Sequence, residues 1–389
     1  MTKSKASIPH REILLIGSVS RNVGKIEFTC SLIRRFASAM PIIGLKISAL
    51  PAAKKDINQF LLKIGQSQRI VLSLNRECFI TEETDRTKRF ATSRMLAAGA
   101  DRVYWLWVTN KQLSNGFNAL MDLIPKGTAV VCESESARTI VEPGVFLVIR
   151  NSKENRIRSG GAQAIAKADY VVSFDGASWD FKPEQMAFVD GRWLIRQNSS
   201  AIILAGGMST RIGLDKSLLI YRGEPLIAHI ARQLVPMFEH VVISTNEPEK
   251  FRFLGLPTIP DIKPGRGPLM GIASALRRSS SEFCFVVACD IPTMDFSFIH
   301  RMVRQAASYD IVMPRSADGR FEPLFAVYRR SVYRPALEIL EAGGRRIVEL
   351  FDRVKVLFMD FDGGTWYKNI NTMADYLEVY KDMQSVPPA

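Results

Sequence analysis

The sequence is poor in the residues that build metal centres and covalent frameworks. It has four histidines, and no His or Cys spacing in it suits a zinc site. Its five cysteines, Cys30, Cys78, Cys132, Cys284 and Cys289, are scattered without a Cys-x-x-Cys pair. That excludes a redox dithiol motif and agrees with free, buried thiols in a reducing compartment. No apolar run nears the roughly 20 residues that span a bilayer. Residues 1–10 are polar, and the apolar run 13–16 is too short for the core of a signal peptide. We therefore expect a cytoplasmic protein with no membrane partner. The sequence has no internal repeat and no low-complexity tract.

What is present is a folded-protein composition, 47% hydrophobic and 23% charged, in 389 residues. That length accommodates two domains of ordinary size. The net charge of +13 is unevenly spread. Residues 1–197 hold 29 Lys and Arg against 18 Asp and Glu, whereas the remainder holds 23 against 21. A basic N-terminal half suits phosphorylated small molecules or an acidic protein partner. It lacks the interleaved basic and aromatic runs of a nucleic-acid binder, so nucleic acid is not expected.

Residues 201–217 organise the chain. Small and apolar residues up to Leu204 and Ala205 read as a buried parallel strand. Gly206 and Gly207 then open a loop at its carboxyl end, the place where open α/β sheets bind ligands. Glycine lets backbone N–H groups approach a phosphate and form an anion nest. Arg211 and Lys216 add cations at the same mouth. Glycines alone are equally compatible with a ligand-free turn. The ordered set Leu204, Ala205, Gly206, Gly207, Ser209, Arg211, Gly213, Asp215, Lys216 is far more specific.

Downstream, Asn246 ends a strand, where an amide suits base or ribose recognition as well as a turn. Asp261 leads into a shaped loop, Gly265-Arg266-Gly267-Pro268-Leu269-Met270-Gly271-Ile272. Residues 283–289 form a continuous apolar run that ends in Asp290-Ile291-Pro292. A carboxylate at the end of a buried strand beside a triphosphate loop is where a hard Mg²⁺ ligand is needed. Residues 225–238 read as an amphipathic helix and 322–328 as a further strand. Gly343-Gly344-Arg345-Arg346 is a basic turn, and Asn369-Ile370-Asn371-Thr372 precedes a last helix.

These motifs resemble those of the molybdenum cofactor guanylyltransferases, over about residues 201–383. The resemblance implies transfer of GMP from GTP, with Mg²⁺, to molybdenum-loaded molybdopterin, with release of pyrophosphate. It implies nucleotide contacts from Leu204, Ala205, Gly206, Gly207, Lys216, Asn246, Asp261 and Asp290. Asp290 is the implied metal ligand, and Arg211, Lys216 and Asp290 are the implied catalytic set. Arg345, Arg346, Asn369 and Asn371 are candidates for pterin or phosphate contact. Two departures are Ile212, where the family has Met, and Glu322, where it commonly has a small polar residue, His or Gln. A cytidylyltransferase of the same fold and an adaptor that delivers molybdenum cofactor to apoenzymes are the alternative readings. The Gly206-Gly207 pair favours guanine by the same resemblance. Molybdoenzyme apoproteins or other cofactor-biosynthesis proteins are the implied protein partners.

The N-terminal half alternates strands and helices, which argues for a parallel α/β sheet. A strand at 12–17, a loop, Gly24-Lys25 and a helix over 26–39 resemble a degenerate P-loop. The pattern wants glycine at Val19 and a hydroxyl at Ile26. Lys25 remains a candidate phosphate contact. Loop and domain order resemble the accessory GTP-binding protein that accompanies the guanylyltransferase. Residues 54–65 read as helical. The polar run 81–89 reads as a helix entry or a contacting loop using Arg86, Lys88 and Arg89. Glu133 and its neighbours follow a strand at 129–132, again where ligands bind. Asp190-Gly191 between two apolar runs signals a hairpin, and 196–200 reads as a polar linker. We expect a degenerate P-loop-like α/β domain over 1–197. We expect a nucleotidyltransferase domain over 198–389, a Rossmann-like sheet with helices on both faces.

Overall fold

The computed structural model describes residues 8–20, 23–50, 68–75, 77–87, 90–153, 160–206, 215–316, 318–361, 370 and 374–378. The chain divides into two compact units, Met1–Ile195 and Arg196–Ala389. Both are α/β.

In the first unit, β1 (Ile8–Ser18), α1 (Lys25–Ala37), β2 (Ile42–Ala49), β3 (Gln68–Asn75), β4 (Cys78–Glu83), α2 (Ala91–Ala97), β5 (Arg102–Val108), α3 (Leu113–Met121), β6 (Ala129–Glu133), β7 (Val141–Asn151), α4 (Gly161–Lys167) and β8 (Tyr170–Phe174) follow in order. The eight strands form one sheet in the order β3-β4-β5-β2-β6-β1-β7-β8. The six strands from β5 to β8 in that order run parallel, and β3 and β4 extend the sheet antiparallel. Both faces of β1 are buried from Ile13 to Ile16, which is why that part reads as an apolar run. Leu14 and Ile16 pack with Phe28 and Leu32 of α1, and Ile13 and Leu15 with Phe117 and Leu120 of α3.

The polar run at 81–89 is corrected: residues 81–83 belong to β4 rather than to a loop. Their polar atoms are satisfied inside the sheet. Thr81 Oγ1 donates to Gln68 Oε1 at 2.6 Å, and buried Glu83 accepts from Thr92 Oγ1 at 2.6 Å and Gln68 Nε2 at 3.1 Å. Lys88, Arg89 and the stretch 54–65 lie outside the described residues.

The unit ends in the hairpin β9 (Met186–Val189) and β10 (Arg192–Ile195), closed by Asp190 and Gly191 at positive φ. Trp193 on β10 is fully buried. Its ring packs edge-on to Phe36, and its Nε1 donates to the Val130 carbonyl at 3.1 Å.

In the second unit, β11 (Gln197–Leu204), β12 (Ile220–Tyr221), β13 (Glu224–Pro225), α5 (Leu226–Leu234), β14 (Phe238–Ser244), β15 (Thr258–Ile259), α6 (Pro268–Arg278), β16 (Phe283–Ala288), α7 (Phe296–Gln305), β17 (Ile311–Ser316), β18 (Phe325–Arg329), α8 (Tyr333–Glu341) and β19 (Val356–Phe361) follow. The main sheet runs β15-β14-β11-β16-β18-β17-β19. Its first four strands are parallel, and β18 runs antiparallel to both neighbours. Helices cover both faces. Ala201 and Ile203 pack with Ile230 of α5 and Phe298 of α7, while Ile202 and Leu204 pack with Ile272 of α6 and Ile339 of α8.

Two sequence expectations change here. Residues 197–200 are strand and not linker, because Gln197 N–H donates to the Met237 carbonyl and Ser200 Oγ meets Ser281 Oγ at 2.8 Å. The helix expected over 225–238 is shorter. Pro225 belongs to a small antiparallel pair, and Phe238 already starts β14.

Replacing Trp193 by Ala should lower stability by about 3–5 kcal/mol, the usual range for removing a buried large aromatic ring. Urea denaturation of the full chain checks this, and a change below about 1 kcal/mol would contradict the packing described.

Candidate active site

The strand that precedes the glycine-rich loop ends in the middle of the second sheet. Ala205 N–H donates to the Ser244 carbonyl at 2.9 Å, and Cys289 N–H donates to the Leu204 carbonyl at 3.2 Å. These bonds align the carboxyl ends of β11, β14 and β16 along one edge, the ligand-binding edge of an open α/β sheet. A cavity of about 450 Å³ opens there.

On one wall, Asp215 caps a short turn, Lys216–Leu218. Its Oδ1 accepts from Ser217 N–H at 3.0 Å and Ser217 Oγ at 2.6 Å. The turn brings the Lys216 ammonium 3.5 Å from Asp290 Oδ2, with side chains only 18% and 19% exposed. Burial pushes the Asp290 carboxyl up from its ordinary range, and the opposing pull of Lys216 does not cancel it. The Asp290 carbonyl accepts from Ile370 N–H at 2.9 Å. Asp290 is thus a half-buried carboxylate whose charge Lys216 offsets only in part, and it would gain from a second positive charge.

On the facing wall, Asn246 and Asp261 clasp each other. Asn246 Nδ2 donates to Asp261 Oδ2, and Asp261 N–H donates to Asn246 Oδ1, both at 2.9 Å. Gly271 lets α6 close on this wall, since a Cβ there would stand 3.0 Å from Ser244 Oγ and 3.5 Å from Asp261 Oδ1. Among the described lining residues, Asp215, Glu247, Asp261 and Asp290 face only Lys216 and Lys250. The described wall therefore has a negative excess, and a polyanion needs added cations there.

Mg²⁺ suits this donor set. No group of three or more His, Cys, Asp and Glu capable of holding a metal occurs among the described residues. A single carboxylate, completed by substrate phosphates and water, is the usual way Mg²⁺ is held in phosphoryl-transfer sites.

Seven residues anticipated from sequence line this one cavity: Leu204, Ala205, Gly206, Lys216, Asn246, Asp261 and Asp290. Gly207, Arg211, Asn369 and Asn371 lie outside the described residues. Arg345 and Arg346 do not line the cavity. Their N–H groups donate to Glu349 Oε1 at 3.3 and 2.9 Å, opening the short turn Ile347–Leu350. Glu322 N–H donates to the Pro314 carbonyl, and its neighbour Leu324 lines the cavity. Sequence reasoning missed Glu247 and Lys250, whose only signal is that they follow Asn246 closely.

The first unit has a second cavity, of about 420 Å³, at the carboxyl ends of β2 and β6. Gly24 takes a left-handed φ of 62° and lies under the Trp179 ring, where a Cβ would come within 2.7 Å. Lys25, next in the chain, meets Glu133 at 3.1 Å and Glu135 at 3.4 Å, and Lys46 meets the other Glu133 oxygen at 2.7 Å. Burial favours the protonated form of Glu133, yet Lys46 and Lys25 hold its carboxyl below the ordinary range. Lys25 is thus already engaged by two carboxylates.

Comparison with known proteins bears on the second unit. A family described as the MobA-like NTP transferase domain matches residues 201–355. A protein of Carboxydothermus hydrogenoformans named "Probable molybdenum cofactor guanylyltransferase" is 32% identical over 192 residues, covering 48% of this chain and 96% of that protein. The chain belongs to the MobA-like NTP transferase family. It is a nucleotidyltransferase enzyme. A second relative of the same printed name, from Pelotomaculum thermopropionicum, is 34% identical over 187 residues, covering 46% of this chain and 91% of its own. A solved structure, "Molybdopterin-guanine dinucleotide biosynthesis protein A" from Archaeoglobus fulgidus, covers 48% of this chain and 100% of its own at 24% identity and a TM-score of 0.43. These MobA-like relatives thus correspond to about half of the chain. Among the described residues no helix is long and apolar enough to cross a membrane.

Glu133→Gln should destabilise the chain by about 3 kcal/mol at neutral pH, because two half-buried ammonium groups lose their shared, buried partner. A carboxyl with a lowered folded pKa stabilises fully above its unfolded pKa and loses that contribution as pH falls through the folded value. The gap between wild type and variant should therefore close below the ordinary carboxylate range. Urea unfolding at a series of pH values measures it, and a gap that widens on acidification would contradict the ion-pair account.

Proposed function

We propose that this chain transfers GMP from GTP to molybdenum-loaded molybdopterin and releases pyrophosphate. The observation that carries the reading is the Lys216–Asp290 pair, set at one end of a cavity whose other end holds the Asn246–Asp261 clasp. The names of the relatives support guanine and the molybdenum cofactor as the reaction's chemistry. This reading rests on the second unit alone.

In the proposed step, a terminal phosphate oxygen of the pterin attacks the α-phosphorus of GTP. One P–O bond forms, and the bond from the α-phosphorus to the bridging oxygen breaks. Pyrophosphate leaves with the electron pair. Charge accumulates on phosphoryl oxygens, so the protein's contribution is positioning and electrostatic stabilisation. Lys216 would accept the negative charge of the phosphates. Backbone N–H groups after Leu204 would approach them closely. Asn246 and Asp261 would orient the nucleoside end. Asp290 would hold Mg²⁺, which when bound neutralises phosphate oxygens. No side-chain nucleophile is required.

Pyrophosphate release with the molybdenum-loaded pterin, Mg²⁺ and GTP, CTP or ATP in turn tests the reading. Release with GTP alone is expected. Release with CTP alone would reassign the donor, and no release with any nucleotide would overturn the reading. Asp290→Asn should lower the rate about 100-fold or more, the scale of losing an electrostatic group in the reaction site. Wild-type rates in that variant at ordinary Mg²⁺ would remove Asp290 from the metal site.

A further inference from the structure

Asp215 is joined to two parts of the cavity. One oxygen caps the turn that carries Lys216, and the other pairs with the ammonium of Lys250. Lys250 lies in the segment Pro248–Leu254, immediately after Asn246. Phe251 beside it is 1% exposed and anchors the segment in the core. Lys250 Nζ also reaches Glu247 Oε2 at 3.1 Å, and Glu247 N–H donates to Thr245 Oγ1 at 3.0 Å. Polar contacts therefore run from Glu247 and Lys250, which follow Asn246 of the clasp closely in the chain, to Asp215, the Lys216 turn and Asp290.

The geometry distinguishes the two lysines that line the cavity. Lys216 meets the half-buried Asp290 at its far end, whereas Lys250 is held between Asp215 and Glu247. With two carboxylates beside it, Lys250 has little net charge to offer a phosphate. Its evident effect is to fix Asp215, and Asp215 fixes the turn that aims Lys216.

We propose that Lys250 is a positioning residue. Through Asp215 it sets the direction of Lys216, and so couples the nucleoside-facing wall to the phosphate-facing wall. This rests on the transferase reading above. A misplacement of about 1 Å in a reacting group costs up to about 100-fold in rate. A partly exposed ion pair whose turn keeps its Ser217 bonds should cost less, about tenfold.

The test is steady-state pyrophosphate release by the full chain for wild type, Lys250→Met, Lys250→Arg, Asp215→Asn and the double variant Lys250→Met with Asp215→Asn. Lys250→Met should lose about tenfold in kcat with KM for GTP changed by less than about twofold, the signature of an interaction needed in the transition state. Its unfolding midpoint should stay at the wild-type value. Lys250→Arg should restore most of the rate, and the double variant should be no slower than the slower single one. Unchanged kcat in Lys250→Met, additive losses in the double variant, or a raised KM at unchanged kcat would overturn the proposal, the last by making Lys250 a direct nucleotide contact. A readout independent of turnover is the amide resonance of Ser217 in the nucleotide-free protein. It should shift in Lys250→Met and stay in place in Lys250→Arg. An unmoved resonance in Lys250→Met overturns the coupling even where no nucleotide is turned over. Absent turnover in the wild type, with the resonance shifting as expected, would count against the transferase reading and leave the coupling supported.

Discussion

A carboxylate and an ammonium group, each less than one-fifth exposed, meet at the point where two buried parallel strands end. Much of the second unit serves to hold Asp290 and Lys216 there. The last four residues of β11 and most of β16 are apolar on both faces, so these strand ends are fixed by the core and not by the loops. Asp290 follows from that: the chain leaves the core after Ala288, and its first charged residue emerges beside the carboxyl end of β11. Burial makes the charge costly, and the Lys216 ammonium only partly offsets the cost. Such a site is poised for a cationic ligand that arrives with a phosphate.

The first unit places charged groups on the same edge of its own sheet and reaches a different balance. Lys25 and Lys46 share Glu133, and Glu135 adds to the enclosure of Lys25. In the second unit the described cavity wall is left with unbalanced carboxylates, whereas here the charges satisfy one another. The indole of Trp179 packs over Gly24, and its Nε1 donates to the Val23 carbonyl at 3.1 Å. A strand, a glycine, a lysine and a helix thus give a cavity lined by a balanced ion-pair cluster in one unit, while the second unit's strand ends give a cavity whose described wall carries a negative excess.

Much of this was legible in the residues. The alternation of apolar runs with helical stretches points to α/β layers because both faces of a parallel strand must be covered. Asp290 and Asn246 were legible because each follows an apolar run whose end the topology brings to one edge, Lys216 because it closes the glycine-rich motif, and Asp261 because it leads into a shaped loop. The parts that were not legible depend on partners distant in the chain. Residues 197–200 look like a linker but are strand, since the Gln197 N–H and the Ser200 hydroxyl find partners in Met237 and Ser281. Thr81 and Glu83 look solvated but are buried against Gln68 and Thr92. Arg345 and Arg346 suggested a phosphate site, whereas their backbone serves to start a turn at Glu349. Lys250 gave no signal because its meaning lies in Asp215, thirty-five positions earlier in the sequence.

We propose Asp290 as the protein's ligand for a metal brought in with the nucleotide. Electron paramagnetic resonance of Mn²⁺, as a probe for Mg²⁺, measures this directly in wild type and in Asp290→Asn, each with and without GTP. The account predicts weak Mn²⁺ binding by the wild type alone, much tighter binding when GTP is added, and loss of that enhancement in the variant. Equal Mn²⁺ binding by both proteins in the presence of GTP would contradict it.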